Sequence, residues 1–259
     1  MGLNMTLGAR WLLFATLFAS LLNNSNAVDS GSIIPLYIYP VTNSGGNAWQ
    51  ALFDAYRAHP INTWAIVNVN SGPGGRRKDA NYINAIRDLH AAGIKTLGYV
   101  LTNYTRRSEA AVRADMDRWK QLYSPTGIFF DEMAYDDVNS KVQYYQNLNN
   151  YAKAQGYTYT VGNPGTRTIA RYFNTVDNIV VFESDTGFPS TDLICSQDTN
   201  GKGRQSVSIL PYNIGTLNTA AVTDAKACAG FIFVTNDSGN NPWDTLPGYL
   251  TQLFEVLKG

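Results

Sequence analysis

Short apolar runs rich in β-branched and aromatic residues recur along the chain at 35–39, 64–69, 95–101 and 127–131. Four more follow at 158–161, 178–183, 206–210 and 230–234. Runs of this length and composition predict strands. Between them, apolar side chains fall at helical spacing. Val112, Met116, Trp119 and Tyr123 share one face after the cap candidate Ser108. Val138, Val142, Tyr145, Leu148 and Ala152 share another, and Leu250, Leu253, Phe254 and Leu257 line the last helix. The helical pattern is weakest near 166–173 and 191–194. Eight strands alternating with helices, without linker, repeat or low-complexity tract, predict a single-domain (β/α)8 TIM barrel. A doubly wound open sheet is the competing arrangement, but it rarely uses eight strands in a chain of this size.

The segment ahead of the first strand has a different character. Arg10 is the only charge in 1–27, an apolar run occupies 11–22, and Ser25-Asn26-Ala27 offers small residues for cleavage. Residues 1–27 are therefore expected to be a signal peptide, with the barrel in 28–259. A membrane anchor is the alternative, but a spanning helix needs roughly 20 apolar residues. The expected location is outside the cell or in the cell wall, with no membrane attachment after cleavage.

Composition changes this picture little. The 20 basic and 20 acidic side chains balance, leaving no electrostatic footprint for nucleic acid or an anionic membrane. A monomer is expected. Cys195 and Cys228 are the only cysteines. In an oxidising compartment a disulfide is the natural expectation, with two separate buried thiols the alternative. Asn103-Tyr104-Thr105 and Asn236-Asp237-Ser238 are glycosylation sequons, making Asn103 and Asn236 candidates.

Barrel chemistry takes place at the C-terminal ends of the strands, so those positions are where reactive groups are sought. In chain order they carry Tyr39, Asn68 and Asn70, Tyr99 and Asn103, then Asp131 and Glu132. Asn163, Glu183 and Asp185, Tyr212 and Asn213, and Asn236 and Asp237 complete the rim. His59 and His90 fall in the first two helices, which removes histidine-ligated metals and Ser-His-Asp catalysis from consideration. No cysteine stands at a strand end. Gly72-Pro73-Gly74-Gly75 lacks the Lys-Ser/Thr of a phosphate loop and is taken as a turn. No metal or cofactor is called for. Carboxylates among tyrosines and amides suit glycoside hydrolysis, in which one carboxyl group donates a proton and a second stabilises the anomeric centre. An apolar strand ending in an acid is also ordinary. However, Phe129 and Asp131 share a strand face, and Glu183 ends a second apolar strand.

Leu36-Tyr37-Ile38-Tyr39-Pro40, Asn70-Ser71-Gly72-Pro73-Gly74, Gly127-Ile128-Phe129-Phe130-Asp131-Glu132 and Phe182-Glu183 resemble, in that order, the spherulation-specific family 4 (spherulin-4) proteins. Among these the chain is most similar to the fungal glycoside hydrolases of family 135. The resemblance implies a (β/α)8 fold and endo-cleavage of α-1,4-linked N-acetylgalactosamine in galactosaminogalactan, a fungal exopolysaccharide of cell walls and biofilms, with retention. It carries three important acids onto Asp131, Glu132 and Glu183. The expected roles are nucleophile or acetamide orienter for Asp131, acid/base for Glu183, and substrate positioning or tuning of its neighbour for Glu132. Tyr39, Asn70, Tyr99, Asn163 and Tyr212 are candidate substrate contacts. Trp243 is a candidate stacking wall or a cover for the last helix. Asp136 and Asp137 either attract a cationic polymer or begin the fourth helix. A non-catalytic carbohydrate-binding or developmental coat protein is the alternative function. A hydrolase for another amino-sugar or galactose polymer is a third.

Overall fold

Eight parallel strands follow one another around the sheet in chain order. They are β1 (Ser32–Leu36), β2 (Thr63–Val67), β3 (Lys95–Leu101), β4 (Gly127–Asp131), β5 (Tyr159–Asn163), β6 (Asn178–Ser184), β7 (Val207–Pro211) and β8 (Phe231–Ile232). The computed structural model describes residues 29–40 and 45–259. The expected signal peptide, 1–27, lies outside them. Gly31 joins the ends of the sheet: its N–H donates to Gly230 at 2.8 Å, and its carbonyl accepts from Ile232 at 3.0 Å. A Cβ at Gly31 would collide with the Asn62 carbonyl and the Phe231 ring, so glycine is what lets the barrel close.

The helices are α1 (Gly45–Ala58), α2 (Ala80–Ala92), α3 (Glu109–Leu122), α4 (Asn139–Ala154), α5 (Thr191–Cys195), α6 (Thr219–Ala225) and α7 (Leu250–Lys258). Together with the strands they form the expected single-domain (β/α)8 barrel. Between β5 and β6 the expected helix is only a 3-10 turn, Ala170–Asn174. The other weak prediction, α5, spans five residues. A helix that short has too few backbone bonds to hold alone. The Cys195–Cys228 disulfide, with Cα atoms 5.1 Å apart, ties its end to the segment after α6. No helix among the described residues is long and apolar enough to cross a membrane.

Sequence periodicity identifies the buried faces of α3 and α7, whereas on the α4 face Val138 precedes the helix and is exposed and Val142 is only partly buried. Ser108 Oγ accepts from the Ala111 N–H, and Val112, Met116 and Trp119 of α3 are buried. Trp119 fills the space left by Gly98 on β3, where a Cβ would lie 2.8 Å from its ring. Its indole N–H donates to the Tyr99 carbonyl at 2.7 Å. Trp119→Ala removes the largest side chain of this layer and orphans that carbonyl. It is expected to cost about 3–5 kcal/mol, measurable as a lowered midpoint in a urea titration.

Two strands depart from expectation in ways that matter for the mouth. β1 begins three residues before the predicted run, because Gly31 and Ser32 are needed at the closure. Ile33 is in register with Trp64, whose ring stacks on Tyr159 inside the barrel at 4.6 Å. By alternation, Tyr37 faces inward past the strand end and Tyr39 lies beyond it. In β6, a bulge between Val180 and Phe182 shifts the register.

Candidate active site

β4 and β5 run in register, pairing Asp131 with Asn163 across the mouth. Glu183 comes from β6 by way of the bulge. Val180 pairs with Ser208, and Ser208 pairs with Phe231, which packs inside the barrel against Tyr159. Strict alternation would therefore send Phe182 inward and Glu183 outward. The extra residue reverses this and pairs Glu183 with Leu210 on the inner side.

One amide joins the two acids. Asn163 Nδ2 donates to Asp131 Oδ1 at 2.8 Å and to Glu183 Oε2 at 2.5 Å. Its Oδ1 accepts from the Gly165 N–H at 2.9 Å, and the Gly165 carbonyl accepts from the Glu183 N–H at 3.0 Å. This pattern sets the amide's orientation, since a flip would aim its oxygen at two carboxylates. Asp131 Oδ2 accepts from the Tyr99 hydroxyl at 2.7 Å. Tyr99 in turn packs edge-on against Tyr37 at 5.6 Å.

The backbone around the acids is equally constrained. Tyr145 Oη accepts from the Ala134 N–H at 2.9 Å, so its own proton goes to Thr102 Oγ1, also at 2.9 Å. The Thr102 hydroxyl is then free to donate to the carbonyls of Asp131 and Glu132, at 2.8 and 2.9 Å. Glu132 adopts a left-handed backbone with φ 49°. A non-glycine residue there costs on the order of 1–2 kcal/mol. The bonds from Thr102 and from the Tyr104 N–H, at 2.7 Å, hold it.

This environment separates the acids chemically. Burial, then the charge of Asp131, pushes Glu183 up to about 7, opposed by hydrogen bonds from Asn163 and Trp243. Burial also raises Asp131, but bonds from Tyr99, the Glu132 backbone and Asn163 favour its ionised form. Glu132 is raised by burial and by Asp131, with Arg106 acting against both. One acid holds its proton near neutrality beside another whose ionised form three hydrogen bonds favour against burial, an arrangement suited to proton donation paired with stabilisation of positive charge.

The acids line a cavity of about 400 Å³ together with Asn163 and Tyr104. The other sequence candidates are placed as follows. Tyr99 and Asn163, expected to contact substrate, have their donors engaged by Asp131 and Glu183. Trp243, a candidate stacking wall, is 7% exposed and covered by Tyr212 and Phe233. Tyr212 is partly open beside it. Tyr39 lies outside the acid cavity, its hydroxyl bonded to Asp79 at 3.2 Å and Asn81 at 2.7 Å. Asn70 is exposed on the turn after β2. Asp136 and Asp137 do not begin α4, which starts after Val138. They pair instead with Lys141 and Arg171, each at 2.8 Å, leaving neither as a free attractant for a cation. Asn103 is half-buried next to Tyr104, and Asn236 is exposed after β8. Tyr37, Thr102, Tyr104 and Tyr145 are site residues that the sequence does not single out as such. For Tyr37, counting alternation from Ile33 would have found it.

Comparisons with known proteins identify the family. Residues 32–257 match the model of the spherulation-specific family 4. Spherulin-4 of Physarum polycephalum is 32% identical over 233 residues, spanning 85% of this chain and 68% of that protein. The crystal structure of Aspergillus clavatus Sph3 in complex with GalNAc superposes with a TM-score of 0.78 at 26% identity, over 89% of this chain and 98% of that one. An endo-β-N-acetylglucosaminidase from Cordyceps militaris matches with a TM-score of 0.53 over 99% and 98%. At 12% identity, that likeness is one of fold alone.

Proposed function

Because the chain belongs to spherulation-specific family 4, we propose that it is a secreted, endo-acting glycoside hydrolase cleaving α-1,4-linked N-acetylgalactosamine in galactosaminogalactan. The observation that carries this reading is the pair of carboxylates held by a single amide nitrogen, one raised to about 7 and the other braced by hydrogen bonds. The GalNAc bound by Sph3, which shares the fold at 26% identity, supports the choice of sugar.

In this mechanism Glu183 protonates the leaving oxygen. Asp131 meets the positive charge at the anomeric carbon, directly or through the oxygen of the substrate's 2-acetamido group. Glu183, having lost its proton, then takes one from the incoming water. The geometry favours retention. Bonds of 2.8 and 2.5 Å to one nitrogen hold the two carboxylate oxygens well inside the roughly 6.5–9.5 Å that an inverting enzyme needs for water. Glu132, set off the strand by its left-handed backbone, positions the sugar and keeps negative charge beside Asp131.

The test is to incubate the purified domain 28–259 with galactosaminogalactan and, separately, with chitin, and to identify soluble oligosaccharides by mass spectrometry. Fragments are expected from the first polymer. If the protein binds that polymer but releases nothing from any α-linked amino-sugar polymer, a binding or coat role replaces the hydrolase reading.

A further inference from the structure

A second cavity, of about 340 Å³, adjoins the acid cavity at Tyr104. Tyr104 is common to both cavities. Tyr135 and Ala134 also line the second, and Arg106 and the Asp136–Lys141 pair supply polar groups. Two features indicate that this region is built rather than incidental. Asn103, Tyr104 and Thr105 all have left-handed backbones, with φ of 49°, 52° and 74°. Asparagine tolerates this conformation, but Tyr104 and Thr105 cost on the order of 1–2 kcal/mol each in it, and strain of this kind gathers at ligand clamps. The turn is fastened to the acid loop by the Tyr104 N–H on the Glu132 carbonyl at 2.7 Å. In addition, Tyr104 and Tyr135 are 39% and 50% exposed, placing two aromatic rings in solvent around one polar hollow.

The polar contents are equally specific. Lys141 and Asp136 neutralise each other. Arg106 has no ion pair or side-chain hydrogen bond among the described residues. Its guanidinium therefore has N–H donors to offer. Aromatic walls with convergent donors fit a pyranose, whose faces are apolar and whose edges carry oxygen acceptors.

We infer that the cavity between Tyr104 and Tyr135 is a second sugar subsite, which seats a neutral pyranose, hydroxylated or N-acetylated, of the same chain whose neighbouring unit lies at the acids. This deepens the polysaccharide reading above and rests on it. Tyr104 would then be the ridge that the chain crosses, with Arg106 donating to hydroxyl or acetamide oxygens on the far side.

The experiment compares wild type, Tyr135→Ala and Tyr135→Phe on α-1,4-linked N-acetylgalactosamine oligosaccharides of increasing length. In wild type, kcat/KM should climb once the chain is long enough to cross Tyr104. Tyr135→Ala should lose about tenfold of that length-dependent gain, the scale of one lost aromatic contact, and Tyr135→Phe should keep it. The same length dependence in Tyr135→Ala as in wild type overturns the subsite. If wild type cleaves none of these compounds, the hydrolase reading fails separately, and calorimetric Kd values for the same series decide the subsite instead. Weaker binding of only the longer chains by Tyr135→Ala supports it, and unchanged Kd values overturn it.

Discussion

Glu183→Gln is expected to abolish most turnover, by at least ~100-fold, while making the protein more stable at alkaline pH. Both effects have one cause. The Glu183 carboxyl is raised from the ordinary value of 4.5 to about 7 by burial and by the Asp131 charge, so the folded protein holds its proton more tightly than the unfolded chain does. The stability this proton contributes is complete below about pH 4.5 and is lost as pH rises through about 7. At pH 8 wild type thus carries a buried charge that costs on the order of 3 kcal/mol. A neutral amide of the same shape does not carry that charge, and its oxygen still accepts from Asn163. Thermal melts at pH 4 and pH 8 check this: the two proteins should nearly coincide at the acid end. At pH 8 the variant should melt roughly 5–10 °C higher. Equal melting temperatures at pH 8 would mean that Glu183 is not held as described. In wild type the same titration should make kcat/KM fall as pH rises through about 7, because the proton donor is being lost.

Asp131→Asn is the second large effect, again a loss of at least ~100-fold in kcat, with folding preserved. The amide can occupy the carboxylate's place without a clash. Its oxygen accepts from Asn163, and its NH2 donates to the Tyr99 hydroxyl, which is able to accept as well as donate. What disappears is the negative charge that meets the developing cation. The same change removes one of the two influences raising Glu183, so the pH at which Glu183 titrates should move down towards the ordinary carboxylate range. A ¹³C-carboxyl NMR titration of the Glu183 signal in the variant measures that shift independently of turnover. Near-normal turnover in Asp131→Asn would place the reactive site elsewhere.

Much of the architecture was legible in the order of residues. Strand and helix periods are local properties, and eight alternations of them leave few ways to bury every apolar face. β3 and β4 have their expected bounds, and in each the apolar stretch, 97–101 and 127–130, gives way to a polar residue, Thr102 and Asp131. The absence of histidine from the strand ends, and the placement of Asp131 on the same face as Phe129, were equally readable. Where the apolar period faded, at the 3-10 turn after β5 and at α5, the elements themselves are short.

Other features depended on contacts between segments distant in the chain. Nothing local marks the bulge in Ile179-Val180-Val181-Phe182, since all four residues are apolar and either register buries them. Only pairing with β7 decides that the extra residue turns Glu183 into the mouth. Asn163 is one of several rim asparagines in the sequence, and it becomes the link between the acids because β4 and β5 align it with Asp131 while β6 brings Glu183 to its other hydrogen. The left-handed run at Asn103–Thr105 is also disfavoured by Tyr104 and Thr105, and the bond from the Tyr104 N–H to the acid loop sustains it. The barrel, and the acids Asp131, Glu132 and Glu183 at its strand ends, could be read from the order of residues, because hydrophobic periodicity acts over a few residues. Which way Glu183 points, what joins it to Asp131 and which tyrosine shares their cavity depend on strand register and on hydrogen bonds between remote parts of the chain, which no local pattern records.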